Sequence, residues 1–230
     1  MSPADYDGFA AAYTAQNDTS LFNAHYNRPE LVRMAGEIRG QRILDAGCGA
    51  GQIMSDLLLR GARVSGFDVS PAMIEIARGR LGDEVDLRVA DLGEPLPYSD
   101  NAFDVVIASL ALHYVEDWAS TLAELRRVLV PSGRLLVSII HPTVYAVVYP
   151  EADYFTLTQY SEDYTFGDQK VWMTYWHRPL QAVINSFIGG GFAIRAVTEP
   201  PPAPDTPREL LPNQDGRSFI CFLFFDLQAP

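Results

Sequence analysis

Three closely spaced glycines near the start of the chain could hold a ligand against the backbone. They stand in the run Arg42-Ile43-Leu44-Asp45-Ala46-Gly47-Cys48-Gly49-Ala50-Gly51-Gln52. The apolar residues before them indicate a buried strand, and the spacing of Ile53, Leu57 and Leu58 indicates a helix after them. Glycines carry no Cβ, and a helix start offers unpaired N–H groups and a positive dipole end. The turn therefore predicts a site for a ligand that is polar or anionic on that side.

Carboxylates end the next two strand-like runs of the chain. Asp68 ends the run 63–68, about twenty residues after the glycines, where an acid can accept hydrogen bonds from both hydroxyls of a ribose. The alternative is that Asp68 only caps the helix that begins at Ser70 and Pro71. Asp91 closes the alternating run 85–92 in the same way. This spacing favours a ribose-containing ligand at the ends of the strands.

Two histidines follow the predicted fourth and fifth strands. His113 comes after the apolar run Phe103–Ser109, and His141 comes directly after the run Arg134–Ile140. Ligands bind outside the carboxyl ends of such strands, and histidine can act as a base near neutral pH. Both side chains are therefore candidate catalytic bases. The alternative is that either is a packed histidine that bonds the backbone of its loop.

The glycine spacing separates two classes of cofactor. A dinucleotide fingerprint requires its third glycine where this chain has Gln52, and the third glycine here is Gly51, one position earlier. Read with Leu44, Asp45 and Cys48, the segment instead resembles the first motif of the Rossmann-like (class I) S-adenosylmethionine-dependent methyltransferases that act on small molecules. The resemblance extends over essentially the whole chain.

The resemblance implies S-adenosylmethionine as the cofactor, held over the carboxyl ends of the first strands. In the family, the acid at the position of Asp91 bonds the adenine amino group, and the next backbone N–H, here that of Leu92, meets a ring nitrogen. N-terminal helices of related enzymes cover the cofactor, so Tyr13 and Arg28 are expected at its methionine end, unless Tyr13 packs in the core and Arg28 is solvated. The residues expected to bind the cofactor are Tyr13, Arg28, Asp45, Gly47, Gly49, Asp68, Val69, Met73, Asp91, Leu92 and Ser109.

Strands alternating with helices predict an α/β protein with a mainly parallel sheet. The resemblance makes this a Rossmann-like three-layer sandwich whose seven-stranded sheet ends in an antiparallel strand. An N-terminal lid is expected from the helical spacing of Tyr6, Phe9, Ala10 and Tyr13 and from a second helix that Asn27 would cap. Further along, a helix over 117–130 is expected to end at Pro131-Ser132-Gly133, and the last two strands are expected at 192–197 and 219–225, joined by an extended proline-rich loop.

At 230 residues the chain is expected to form one methyltransferase domain over 1–230. Its expected parts are the N-terminal helices (1–40), a cofactor-binding half (41–140), an aromatic substrate cap (141–177), and a C-terminal helix with two strands (178–230).

The segment 141–177 is longer than an ordinary crossover connection and is rich in aromatic residues. Its aromatic residues are Tyr145, Tyr149, Tyr154, Phe155, Tyr160, Tyr164, Phe166, Trp172, Tyr175 and Trp176. Long inserted loops are often functional, and rings can stack on a flat or apolar acceptor. The segment is therefore expected to select an aromatic or apolar small molecule. The alternatives are a core-packing cap or a contact within a homodimer.

The composition argues against several other functions. A net charge of −12 and a pI near 4.6 oppose nucleic-acid binding, which relies on clustered Lys and Arg. No apolar run has the length of a membrane span, and the start of the chain lacks the pattern of a secretory leader, so a cytoplasmic protein is expected. Cys48 and Cys221 suggest neither a disulfide framework nor a metal cluster.

Two other functions compete with methyl transfer. A protein of the same fold could bind S-adenosylmethionine without transferring its methyl group, although the intact set of glycines and acids favours an enzyme. A nucleotide-dependent oxidoreductase is the third reading, and Gln52 at the third-glycine position weakens it.

Overall fold

The computed structural model describes residues 6–212 and 219–230, and its centre is a seven-stranded sheet in the order β3-β2-β1-β4-β5-β9-β8. The strands of this sheet are β1 Arg42–Ala46, β2 Arg63–Asp68, β3 Asp86–Val89, β4 Phe103–Ser109, β5 Leu129–Ile140, β8 Ala193–Thr198 and β9 Phe222–Gln228. The pairs from β3 to β5 are parallel, and β9 runs antiparallel to both β5 and β8. The predicted sheet with an antiparallel last strand is confirmed.

Helices cover both faces of the sheet. They are α1 Ala10–Asn17, α2 Arg28–Ala35, α3 Gln52–Leu59, α4 Pro71–Leu81, α5 Trp118–Val128, α6 Pro142–Val148 and α7 Leu180–Gly189. Side chains of β1 alternate between two apolar clusters, because Ile43 packs with α2, α3 and α4 and Leu44 packs with α5 and α7. This arrangement is the predicted three-layer sandwich.

The N-terminal helices form as expected, but Asn27 does not cap α2. A π-helical turn over Asn23–Asn27 leads directly into α2, so Asn27 has helical backbone angles and makes no side-chain cap bond. Its side-chain amide instead donates a hydrogen bond to Oγ of Ser109 at 2.8 Å, and Glu30 pairs with Arg33 rather than bonding back to Asn27. The π-helical turn therefore directs Asn27 toward the end of β4.

The aromatic segment is not an irregular loop. After α6, it forms a hairpin of two antiparallel strands, β6 Thr158–Phe166 and β7 Gln169–His177, joined by Gly167 and Asp168. Gly167 has φ +59°, the left-handed conformation that such a tight turn needs. Regular hydrogen bonding thus holds the aromatic residues of the hairpin on two defined faces.

Other differences are at the ends of elements. β5 begins at Leu129, so Pro131-Ser132-Gly133 lies within the strand at a register shift and does not merely end α5. β9 begins at Phe222, three residues later than expected. The proline-rich connection contains a short 3-10 turn at Arg208–Leu210. Residues 1–5 and 213–218, which belong to the predicted segments 1–40 and 178–230, lie outside the described residues.

Within 6–212 and 219–230, no helix combines the length and the apolar character that crossing a bilayer would need.

Candidate active site

The glycine turn is fixed to the end of the neighbouring strand. The backbone N–H groups of Gly47 and Cys48 both donate hydrogen bonds to the carbonyl oxygen of Phe67 at 2.9 Å. Gly47 and Gly49 have φ values of +81° and +52°, which residues with a Cβ rarely adopt. A Cβ on Gly47 would lie 3.0 Å from the Cβ of Ala111, whereas the space beside Gly49 is open. The open space leaves room for a ligand beside the backbone of the turn.

Asp68 lies at the end of β2, against this turn. Its Oδ2 accepts a hydrogen bond from the Gly49 N–H at 2.9 Å, and its Oδ1 accepts one from the Ser70 N–H at 3.0 Å. The cap of α4 is Ser70, whose hydroxyl oxygen accepts from the Met73 N–H at 3.1 Å. Burial raises the pKa of Asp68, and these backbone donors offset only part of that rise. Asp68 is thus held in one position while its remaining lone pairs stay able to accept.

A cavity of about 510 Å³ extends from the glycine turn to the aromatic hairpin. This volume is within the range of small-molecule and cofactor sites. Ten of the predicted site residues line it: Tyr13, Gly47, Gly49, Asp68, Val69, Met73, Asp91, Leu92, Ser109 and His113. They come from α1, the glycine turn, the ends of β2, β3 and β4, the start of α4 and the 3-10 turn Leu112–Tyr114 after β4. Residues far apart in the chain therefore meet on one surface, as the spacing of the motifs predicts.

Two predicted cofactor residues are not part of the cavity wall. Arg28 lies with its Nε 3.5 Å from Oδ2 of Asp56, a residue of α3. Asp45 is buried beneath the turn, and its Oδ1 has no hydrogen-bond partner among the described residues. Burial, followed by the nearby charge of Asp68, raises the pKa of Asp45 to about 7. The structure therefore places Asp45 under the site and Arg28 away from it.

His113 lies in the wall of the large cavity, on a 3-10 turn after β4. Burial lowers its pKa to about 3, so the ring is neutral at physiological pH. Its Nδ1 is buried without a hydrogen-bond partner among the described residues. A group with so low a pKa is a weak base, although its neutral ring can still bond an acceptor.

His141 does not line the large cavity. It caps α6, because its Nδ1 accepts from the Thr143 N–H at 3.1 Å, and its Nε2 donates to Oε1 of Glu199 at 2.6 Å. It borders a second cavity of about 20 Å³, which is too small for an acceptor molecule. The structure therefore places both ring nitrogens of His141 in local contacts and the side chain outside the wall of the large cavity.

The hairpin forms the far wall of the large cavity with alternate residues of each strand. Phe166 stacks on Phe9 of the N-terminal segment with ring centroids 5.4 Å apart, and its edge meets Tyr13 at 5.1 Å. The hydroxyl of Tyr6 bonds that of Tyr114. The hairpin residues in the wall are Tyr160, Glu162, Tyr164, Phe166, Met173 and Tyr175. The N-terminal segment and the hairpin therefore close the cavity together.

The remaining aromatic residues of the segment have other roles. Tyr145 stacks on His177 with ring centroids 3.9 Å apart, and the hydroxyl of Tyr154 accepts a hydrogen bond from the Leu180 N–H. Phe155 and Trp172 point outward, with 75% and 69% of their surfaces exposed. Only one face of the hairpin can therefore contact an acceptor.

The sequence motifs identified neither Glu162 and Tyr6, which line the cavity, nor Asn27, which bonds the cavity residue Ser109. Tyr160, Glu162 and Tyr164 occupy every second position of β6. In a strand this spacing puts side chains on the same face, so the sequence did contain the signal that places Glu162 beside the two tyrosines. Asn27 could not be found in this way, because its contact with Ser109 depends on the π-helical turn.

Residues 44–137 match the family described as "Methyltransferase domain". Among curated proteins, a demethylmenaquinone methyltransferase of Tropheryma whipplei (strain Twist) is 33% identical over 134 residues, which are 57% of this chain and 56% of that protein. The chain thus spans little more than half the length of this relative.

Solved structures show the same architecture over most of the chain. An S-adenosylmethionine-dependent methyltransferase from Mesorhizobium loti is 26% identical, with a TM-score of 0.68 over 87% of this chain and 96% of that one. The structure of a putative S-adenosylmethionine-dependent methyltransferase from Listeria monocytogenes is 24% identical and supports the fold, with a TM-score of 0.72 over 89% of this chain and 98% of that one. Together with the glycine turn, Asp68 and the sheet order, these matches show that residues 44–137 form a methyltransferase domain and that the chain has the Rossmann-like fold of class I S-adenosylmethionine-dependent methyltransferases.

Proposed function

We propose that this chain transfers the methyl group of S-adenosylmethionine to a small aromatic or apolar acceptor. The observation that carries the proposal is the cavity of about 510 Å³, which joins the glycine turn and Asp68 at one end to the ring-lined face of the hairpin at the other. A cofactor on the turn and an acceptor on the rings would share one cavity.

The residues at the turn fit the cofactor. Asp68 keeps acceptor capacity for the two ribose hydroxyls, and the open space beside Gly49 admits a ligand against the backbone. Asp91 and Leu92 line the same end, where the adenine would lie. When bound, S-adenosylmethionine supplies an electrophilic methyl group on its sulfonium. The positive charge of that group is compatible with a cavity wall that contains the carboxylates of Asp68 and Asp91.

The contribution of the chain to the reaction is to align the acceptor and exclude water. Fixing two reactants in line can supply about 7 to 11 kcal/mol of the barrier. His113 is neutral and weakly basic, and His141 lies outside the cavity. We therefore assign His113 the role of contacting the acceptor, and the acceptor is one that needs no strong base, such as a neutral amine, a thiolate or an activated carbon.

Direct measurements distinguish this proposal from the two alternatives, an oxidoreductase and a cofactor-binding protein without methyl transfer. Calorimetry should show that the chain binds S-adenosylhomocysteine, the product form of the cofactor, and shows no heat of binding with NAD⁺. The reverse result would favour an oxidoreductase. A protein that binds the cofactor without transfer would pass this test and fail the transfer assay described below.

The predicted partners follow from the same cavity. No Lys or Arg is among the described residues that line it, so the phosphates of a nucleic acid would find no basic partner there. Homodimer formation and a cytoplasmic location remain predictions, and sedimentation of the purified chain would test the first.

A further inference from the structure

Glu162 carries an unpaired negative charge in the acceptor half of the cavity. Its Oε1 accepts a hydrogen bond from the Tyr149 hydroxyl at 3.2 Å, and its Oε2 accepts one from the Tyr164 hydroxyl at 2.6 Å. Neither partner is a cation, and no ion pair joins Glu162 to a basic residue within 6–212 and 219–230. The two tyrosines orient the carboxylate, and its other lone pairs remain available to a ligand.

The groups around Glu162 do not supply a compensating charge. The nearby thiol of Cys221 stays protonated, because burial, with a further contribution from Glu162, raises its pKa to about 12. His113 is neutral for the reason given above. Once Asp68 and Asp91 are assigned to the cofactor, Glu162 is the one charged side chain left among the described residues of the cavity wall.

Aromatic side chains flank this carboxylate, because Tyr149 and Tyr164 bond it and Tyr160 lies two residues away on the same strand. Tyr160 and Tyr175 lie with ring centroids 5.6 Å apart across the hairpin, and Tyr164 meets the edge of Tyr175 at 6.4 Å. Aromatic faces attract cations, and a carboxylate beside them strengthens that attraction and repels anions. A wall of rings around one carboxylate is therefore complementary to an organic cation.

We propose that Glu162 and the tyrosine rings beside it bind an ammonium group of the acceptor. This inference rests on the proposed function, since it assigns the acceptor to the hairpin end of the cavity. It narrows the acceptor class to aromatic or apolar molecules that carry an organic ammonium group and excludes carboxylates and phosphates.

The test compares three probes that share one phenylethyl tail: 2-phenylethylammonium, 2-phenylethanol and 3-phenylpropanoate. Each is titrated calorimetrically into the full chain, with and without S-adenosylhomocysteine. The ammonium probe should bind about tenfold more tightly than the alcohol, and the carboxylate should bind most weakly. Equal binding of the alcohol, or tighter binding of the carboxylate, would overturn the proposal.

Glu162→Gln keeps the shape of the side chain and removes its charge. It should weaken the ammonium probe about tenfold and leave the alcohol within about twofold. Asp163→Asn is the matched control, because Asp163 is the next residue of β6 and is exposed on the other face of the hairpin. If both variants weaken the ammonium probe equally, the effect is one of overall charge and the assignment to Glu162 is wrong.

One further comparison separates the acceptor from the cofactor. If Glu162→Gln weakens S-adenosylmethionine much more than S-adenosylhomocysteine, Glu162 serves the sulfonium charge and the proposal fails. If S-adenosylhomocysteine binds normally but the probes show no preference, only this inference fails. If S-adenosylhomocysteine does not bind at all, the proposed function fails, while the titrations without it still report on Glu162.

Discussion

The backbone N–H of Gly49 donates a hydrogen bond to Oδ2 of Asp68 at 2.9 Å. This bond joins the glycine turn after β1 to the carboxylate that ends β2, two elements 19 residues apart in the chain. It fixes the backbone of the turn and the rotamer of the acid relative to each other. The parts of the site that would contact the cofactor are thus held in place before it binds.

Asp68→Ala should weaken the binding of S-adenosylhomocysteine by about 1.5 to 3 kcal/mol, because a charged acceptor of two hydroxyl groups is lost. Calorimetric titration measures the change. Asp83→Ala, which removes an exposed acid in the loop after α4, is the control and should bind normally. Unchanged affinity in a folded Asp68→Ala protein would show that the ribose lies elsewhere.

Gly49→Ala should abolish most cofactor binding, because its Cβ would enter the space beside the turn and the residue would resist a φ of +52°. Gly40→Ala is a close control, since Gly40 has φ +77° and open space beside it but lies outside the cavity. Both variants should lose roughly 1 to 2 kcal/mol of unfolding free energy. Only the first should lose affinity for S-adenosylhomocysteine, and equal affinities would place the ligand away from Gly49.

His113→Gln and His141→Ala should each keep turnover within about tenfold of the wild-type rate, because neither histidine acts as a strong base. His141→Ala should mainly lower the unfolding temperature, since the cap of α6 and the bond to Glu199 are lost. Steady-state rates from pH 5 to pH 8 give the measurement. A loss of about a hundredfold in either variant, with cofactor affinity unchanged, would identify that histidine as a base.

Asp45 should make the ligand-free chain less stable as the pH rises. Its folded pKa of about 7 lies above the unfolded value of 3.8, so the folded state binds the extra proton between these values. The contribution of Asp45 is therefore complete at low pH and is lost as the pH rises through about 7. The Asp45→Asn side chain does not titrate. As the pH rises over this range, the unfolding free energy of the variant should therefore increase relative to that of the wild type, by at most about 4 kcal/mol.

Denaturant titrations at about pH 4.5 and about pH 8 test this prediction. The unfolding free energy of the variant minus that of the wild type should be more positive at the higher pH. A difference that is the same at both values would mean that Asp45 titrates normally in the folded chain.

The sheet and the cofactor end of the site could be predicted because their signals are local. Strands β2 and β4 have the predicted bounds, since β4 is a largely apolar run and both strands end in a polar residue at the carboxyl edge of the sheet. Asp68 and Asp91 could be placed in the same way, because parallel strands bring their ends to one edge.

The hairpin was missed although its signal was present. Inward-facing residues recur at every second position from Tyr160 to Phe166, and Gly167 and Asp168 form a typical hairpin turn between the two runs. A long connection dense in aromatic residues is also typical of an inserted loop, so the sequence did not separate the two structures.

The position of His141 could not be predicted from local sequence. Its partner Glu199 is 58 residues away, and only the packing of the link after β8 brings the two together. The same holds for the contact of Asn27 with Ser109, across 82 residues.

The central claim is that the chain transfers a methyl group, and the most direct test uses S-adenosylmethionine labelled in its methyl group. The purified chain is incubated with this cofactor and a small-molecule extract, and the label is followed by chromatography. At a cofactor concentration near the wild-type Kd, the account predicts a labelled small molecule with the wild-type chain and much less of it with Asp68→Ala or Gly49→Ala. Tight binding of the cofactor with no labelled product from any extract would contradict the account and would identify the chain as a cofactor-binding protein without transfer.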